Sequence, residues 1–108
     1  MVYSHALVDR VRRQLRDRRI VEKKMFGGIA FLLSGNITVC VWQQSLIVRL
    51  GEDRAAEALK QEHVREFDVT GRPMKGWIMV DPDGLESDRQ LAEWIELAFQ
   101  FVETLPAK

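Results

Sequence analysis

Apolar residues recur at every fourth position near the start of the chain: Tyr3, Leu7, Val11 and Leu15. A spacing close to 3.6 gathers such residues on one stripe, which predicts a helix over residues 4–18. Ser4 suits its N-cap, because a hydroxyl accepts from an orphan backbone N–H. His5, Asp9, Arg12, Arg13 and Arg16 fall on the wet side of that helix. The period then changes. Residues 21–26 alternate, with Lys23 and Lys24 exposed at least in part, and Gly28–Leu33 is almost continuously apolar, as a central strand is. Residues 37–42 and 46–50 read as further strands. The connections at Gly27, Ser34-Gly35-Asn36 and Gln43-Gln44-Ser45 are short. A parallel crossover needs about a dozen residues, so the pattern predicts an antiparallel four-strand meander.

A short helix over 52–60 follows, with Ala55, Ala56 and Leu59 inward, then an extended segment over 64–69 and a strand at Trp77–Val80. Asp81-Pro82-Asp83-Gly84 has the proline and glycine positions of a type I turn. Ser87 and Gln90 stand at capping-box spacing before a last helix over 88–104. Its apolar face is wide: Leu91, Trp94, Ile95, Ala98, Phe99, Val102 and Leu105. The sum is an α+β domain spanning 1–108. It has an antiparallel β-sheet, a four-strand meander plus one or two further strands, packed by N- and C-terminal helices.

Strand alternation leaves a question about the sheet's two faces. Leu46, Val48 and Leu50 share one face against Ile47 and Arg49, while Thr38, Cys40 and Trp42 oppose Ile37, Val39 and Val41. Both faces therefore carry apolar groups. Either different helices cover the two faces, or one is left semi-apolar for a partner or a second copy of the chain.

At 108 residues the chain has the length of one domain and buries roughly 65% of its unfolded surface without metals or disulfides. The net charge is zero but uneven. Residues 10–24 hold eight basic and two acidic residues, and residues 81–103 hold seven acidic and one basic. The two ends either pack together with complementary charge, or the basic stretch meets nucleic acid or an acidic partner. No long apolar run marks a leader or a membrane span, so a cytoplasmic chain away from membranes is expected. The single cysteine excludes an intrachain disulfide and fits a reducing compartment.

Candidate chemistry is sparse. Cys40, His5 and His63 are far apart without metal-ligand spacing, so no metal or other cofactor is expected. Cys40 sits between Val39 and Val41, which reads as packing, and His63 reads as a cap at the end of a helix. No phosphate loop, dinucleotide fingerprint or nucleophile elbow is present, and Gly27-Gly28 reads as a tight turn. No catalytic residue is assigned and a non-enzyme is expected. The most distinctive stretch is Thr70-Gly71-Arg72-Pro73-Met74-Lys75-Gly76-Trp77. It is either a structural crossover anchored by Trp77 or an anion site using freed backbone N–H groups with Arg72 and Lys75. A pocket joining Arg49, Arg72, Lys75 and an acidic group would favour the second.

Several segments together resemble the TfoX N-terminal domain family, also called TfoX/Sxy-like. They include Lys24-Met25-Phe26-Gly27-Gly28-Ile29-Ala30-Phe31, Leu46-Ile47-Val48-Arg49, and Phe67-Asp68-Val69 running into the Thr70 to Trp77 stretch. The resemblance implies an α+β domain with helices on an antiparallel sheet, and a regulatory role. Name-giving members regulate natural competence, acting with a cyclic-AMP receptor protein, and carry a second domain that looks like a helix-hairpin-helix nucleic-acid module. The present residues match the first domain alone, so a stand-alone domain is expected, with direct nucleic-acid binding an open matter. The family supplies no agreed catalytic residues. The expected function is therefore a non-enzymatic regulatory or protein-interaction domain. Arg12, Arg13 and Arg16 on the first helix and Arg72 and Lys75 in the loop are its candidate contacts. The alternative is a small anion- or ligand-binding module using the 70–77 loop.

Overall fold

The computed structural model describes residues 3–108; Met1 and Val2 of the expected 1–108 domain lie outside them. The first helix, α1, spans His5–Gln14, with Ser4 Oγ accepting from the Leu7 N–H at 3.1 Å. It ends four residues before the expected Arg18, at a Leu15 that turns out of helical geometry yet stays buried. Four strands follow as the expected meander: β1 (Val21–Met25), β2 (Gly28–Leu33), β3 (Asn36–Trp42) and β4 (Ser45–Arg49). Next come α2 (Glu52–Ala58), β5 (Val64–Glu66), β6 (Trp77–Val80) and α3 (Asp88–Val102). The sheet has six strands in the order β1-β2-β3-β4-β6-β5, every neighbour antiparallel. β6 returns beside β4, which pushes β5 to the edge.

Residues 81–84 hold the hydrogen bond of the expected turn, from the Gly84 N–H to the Asp81 carbonyl at 2.9 Å. A second such bond from Leu85 to Pro82 extends it into one 3₁₀ turn, Pro82–Gly84. The capping box of α3 is present, with Ser87 Oγ accepting from the Gln90 N–H and Gln90 Oε1 accepting from the Ser87 N–H. No helix among the described residues is long and apolar enough to cross a membrane.

All three helices lie on one sheet face. Leu7, Val8, Val11 and Leu15 of the N-terminal helix region, Ala55 and Ala58 of α2, and Leu91, Ile95, Ala98 and Phe99 of α3 pack on Ile29, Phe31, Val39, Val41, Leu46, Val48, Ile78 and Val80. The second face carries Ala30, Cys40, Ile47 and Met79, and neither expected arrangement covers it. The chain between β5 and β6 does so instead. Phe67 is wholly buried there, with Val69, Met74 and Trp77 packed beside it. This explains why β5 stops at Glu66 and not at residue 69: the next residue leaves the ladder to become core. The segment is closed by Gly71 donating to the Asp68 carbonyl and Met74 to the Phe67 carbonyl, at 2.9 and 3.0 Å.

One face assignment is corrected. Ile37 packs on the second face, with Cys40 and Trp42, and not with Val39 and Val41. A bulge causes the switch. Phe31 pairs with Val39 but Leu32 pairs with Ile37, so Thr38 is the extra residue and side-chain parity inverts around it. The buried Thr38 hydroxyl donates to the Phe31 carbonyl at 2.7 Å, which satisfies the irregular backbone.

Candidate functional site

The basic and acidic ends of the chain meet. α1 packs beside α3, and Arg10 Nη2 donates to the Leu85 carbonyl at 2.7 Å while its Nε reaches Asp88 at 3.4 Å. Arg18 pairs with Glu96 at 2.9 Å and lies 4.2 Å over the Phe99 ring. Arg12 is engaged as well. It donates twice to Glu22, both at 2.8 Å, and once to Asp9. Those bonds to Glu22 raise the Arg12 value and hold the Glu22 carboxyl below the ordinary glutamate range. Arg13 and Arg16 are exposed and make no ion pair or hydrogen bond among the described residues.

The five candidate cations do not converge. Arg12, Arg13 and Arg16 belong to the helical face, whereas Arg72 and Lys75 stand exposed on the segment that covers the second face. Lys75 borders a groove of about 230 Å³ between α2 and that segment, walled by Ala55, Ala56, Leu59, Met74 and Trp77, with Glu52 and Glu66 on its rim. Leu59, expected inward, is 37% exposed at this groove. Ala56, also expected inward, is exposed as well; α2 stops at Ala58, and its buried positions are Ala55 and Ala58. Arg72 does not line the groove.

Gly76 sets the geometry at the end of the groove. Its carbonyl accepts from both Leu50 and Gly51, at 2.8 and 3.0 Å, and its φ of 88° lies in the left-handed region. The bonds tie the loop to the end of β4 and aim Trp77 at the β4 residue opposite it, Arg49. The Arg49 guanidinium lies 5.0 Å from the Trp77 ring and 5.8 Å from that of Phe101. The expected pocket joining Arg49, Arg72 and Lys75 is not formed: the groove holds Lys75 with Glu52 and Glu66, neither Arg49 nor Arg72 lines it, and Trp77 is the residue shared between the groove and Arg49. Arg49 was not among the candidate contacts. The signal that points to it is strand alternation, which puts it on the face of Ile47.

The remaining candidates have structural settings. Cys40 is wholly buried, and burial pushes its thiol up to about 12. His63 does not cap α2. The N–H groups of Lys60 and Gln61 already serve the carbonyls of Glu57 and Ala58. The His63 ring lies 3.8 Å from Glu62, at a cleft shared with Glu93 and Trp94. Among the described residues no group of three His, Cys, Asp or Glu side chains is placed to hold a metal ion.

No curated protein matches the chain, and no solved structure does. The sequence pattern of the family described as TfoX N-terminal domain matches residues 14–102, from the end of α1 to the end of α3. That match takes in the whole sheet, the segment over its second face and α3. This chain belongs to the TfoX N-terminal domain family.

Proposed function

We propose that this chain is a non-enzymatic regulatory domain that works by binding another protein. Family membership carries the reading, because in coarse terms it supports a regulatory, competence-related domain. The contact surface in this proposal is the second-face segment, where Lys75 borders a groove with apolar walls and Arg72 stands exposed away from it, neither cation paired among the described residues. The burial of Cys40 supports the non-enzymatic part for that one residue, since a thiol titrating near 12 is a poor nucleophile. The partner is a second protein or a second copy of the chain, met in the cytoplasm.

Affinity capture with the tagged chain tests this. Two charge-reversed variants are compared, Arg72→Glu with Lys75→Glu, and Arg13→Glu with Arg16→Glu. A partner retained by the unaltered chain and lost by the loop variant is the expected result. Capture that is indifferent to both reversals would overturn the proposal. The second reading, a small-anion module on the 70–77 loop, is favoured by Lys75 and Trp77 sharing one groove. Phosphate titration followed by Trp fluorescence checks it, and a flat response to millimolar ligand removes it. Salt-sensitive retention on DNA, with loss in the Arg13 and Arg16 variant, would move the function to nucleic acid.

A further inference from the structure

Arg49 ends β4 and stands directly opposite Trp77 in the register of β4 and β6. The rings near it come from different elements, Trp77 at the start of β6 and Phe101 in the last turn of α3. Among the described residues its guanidinium makes no contact of ion-pair or hydrogen-bond kind beside these rings. Among the described residues no carboxylate lies within 4.0 Å of its guanidinium and no acceptor takes a hydrogen bond from it. Arg10, similarly half-buried, bonds both a carbonyl and a carboxylate. Burial holds the Arg49 guanidinium below the ordinary arginine value, and no neighbouring anion offsets that cost. Aromatic neighbours orient a planar cation but accept none of its five N–H donors.

We propose that Arg49 receives a carboxylate from a protein partner, paired edge-on by its guanidinium fork beside Trp77 and Phe101, with an apolar neighbour of that carboxylate seated in the groove that Trp77 walls. The inference rests on the protein-interaction reading and names its anchor. A planar fork matches the two oxygens of a carboxylate, and one cation matches one negative charge. Phosphate fits less well, because Glu52 and Glu66 on the groove and Asp53 beside Phe101 repel a dianion. The walls contributed by Ala55, Leu59 and Met74 suit an aliphatic side chain next to the acid.

The test titrates the full chain, at constant ionic strength, with a blocked Leu-Asp-Leu peptide, its Leu-Asn-Leu counterpart and inorganic phosphate. The readout is the Nε–H NMR signal of Arg49, assigned with Arg49→Met. A saturable shift with the acidic peptide, about tenfold or more weaker with the neutral one, is expected. Arg49→Lys keeps the charge but loses the fork, so binding by that variant, read from the backbone amide of Trp77, falls by a similar factor. The backbone spectrum of each variant reports its fold. No saturable shift, an equal shift at Arg13 and Arg16, or saturation by phosphate in preference to the peptide each overturn the proposal. Partner capture with Arg72 and Lys75 reversed does not involve Arg49. A silent Arg49 with that capture result intact therefore sinks this site and spares the interaction reading, while indifferent capture sinks the reading itself.

Discussion

Gly28 opens β2 where β3 passes so close that an added Cβ would overlap the Val41 carbonyl oxygen. Its backbone does not need the left-handed region; the requirement is space. Gly27, one residue earlier, is glycine for the other reason, since it and Phe26 both take positive φ, at 79° and 56°. That pair makes the two-residue hairpin turn whose twist suits its strands. The left-handed Phe26 is held by its ring, packed edge-on at 5.4 Å against Phe67. The sequence reading of both glycines as one tight turn is thus half the explanation. Gly28→Ala is expected to lower unfolding free energy by about 3 kcal/mol or more, because the clash is with backbone that cannot rotate away. Urea denaturation checks it, and a loss within about 0.5 kcal/mol would show that β2 and β3 separate at little cost.

Between elements, the charges of α1 act first on structure. Arg10 joins α1 to Leu85, Arg18 ties the chain just past α1 to α3 through Glu96, and Arg12 joins α1 to β1 through Glu22. The Glu22 carboxyl titrates below its ordinary value in the folded chain, chiefly through its hydrogen bonds from Arg12. A depressed folded value contributes stability that is present above the unfolded value and lost as pH falls through the folded one. Both partners are largely exposed, so the effect is a few tenths of a kcal/mol. Arg12→Ala is accordingly expected to narrow the gap between the urea midpoints at neutral pH and at about pH 3. An unchanged gap would show that the pair contributes nothing to acid sensitivity. The capping box at Ser87 and Gln90 was legible because both partners lie within one turn of chain. The Arg12 to Glu22 pair was not, because it joins a helix to a strand around a bend that spacing does not specify.

At the scale of the whole molecule, the sheet carries helices on one face and an irregular segment on the other. Phe67 is the centre of that second, smaller core, wholly buried and 5.7 Å from Trp77 by ring centres. Phe67→Ala is expected to cost about 3–5 kcal/mol, as for a core aromatic, although it lies just outside a strand. A loss under about 1 kcal/mol in chemical denaturation would mean that the 67–77 segment is a surface loop and that the second face is open. The segment also builds the groove and aims Trp77 at Arg49, so stability and the candidate site depend on the same residues. The carboxyl end is fastened as well. Asn36 donates to the Pro106 carbonyl and the Lys108 N–H to the Ser34 carbonyl, at 2.9 and 2.8 Å.

Periodicity alone determined the elements that depend on neighbours in sequence: the apolar stripe of α1, the four-strand meander, the capped α3 and the strand at Trp77–Val80. Those features rest on short-range geometry, in which a 3.6 or 2.0 repeat and a short connection leave few alternatives. The tertiary structure decided what lies over each sheet face. Strand alternation shows that both faces are apolar but carries no information about which distant segment will cover them. A single bulged residue, Thr38, was enough to move Ile37 to the other face. It also decided which cations are engaged. Arg10, Arg12 and Arg18 find partners across the fold, whereas Arg49, read from sequence as a strand residue and a possible pocket member, is flanked by two rings and meets no carboxylate among the described residues. Ion pairing and ring stacking are set by distances of a few ångströms between elements, which packing fixes and sequence spacing does not.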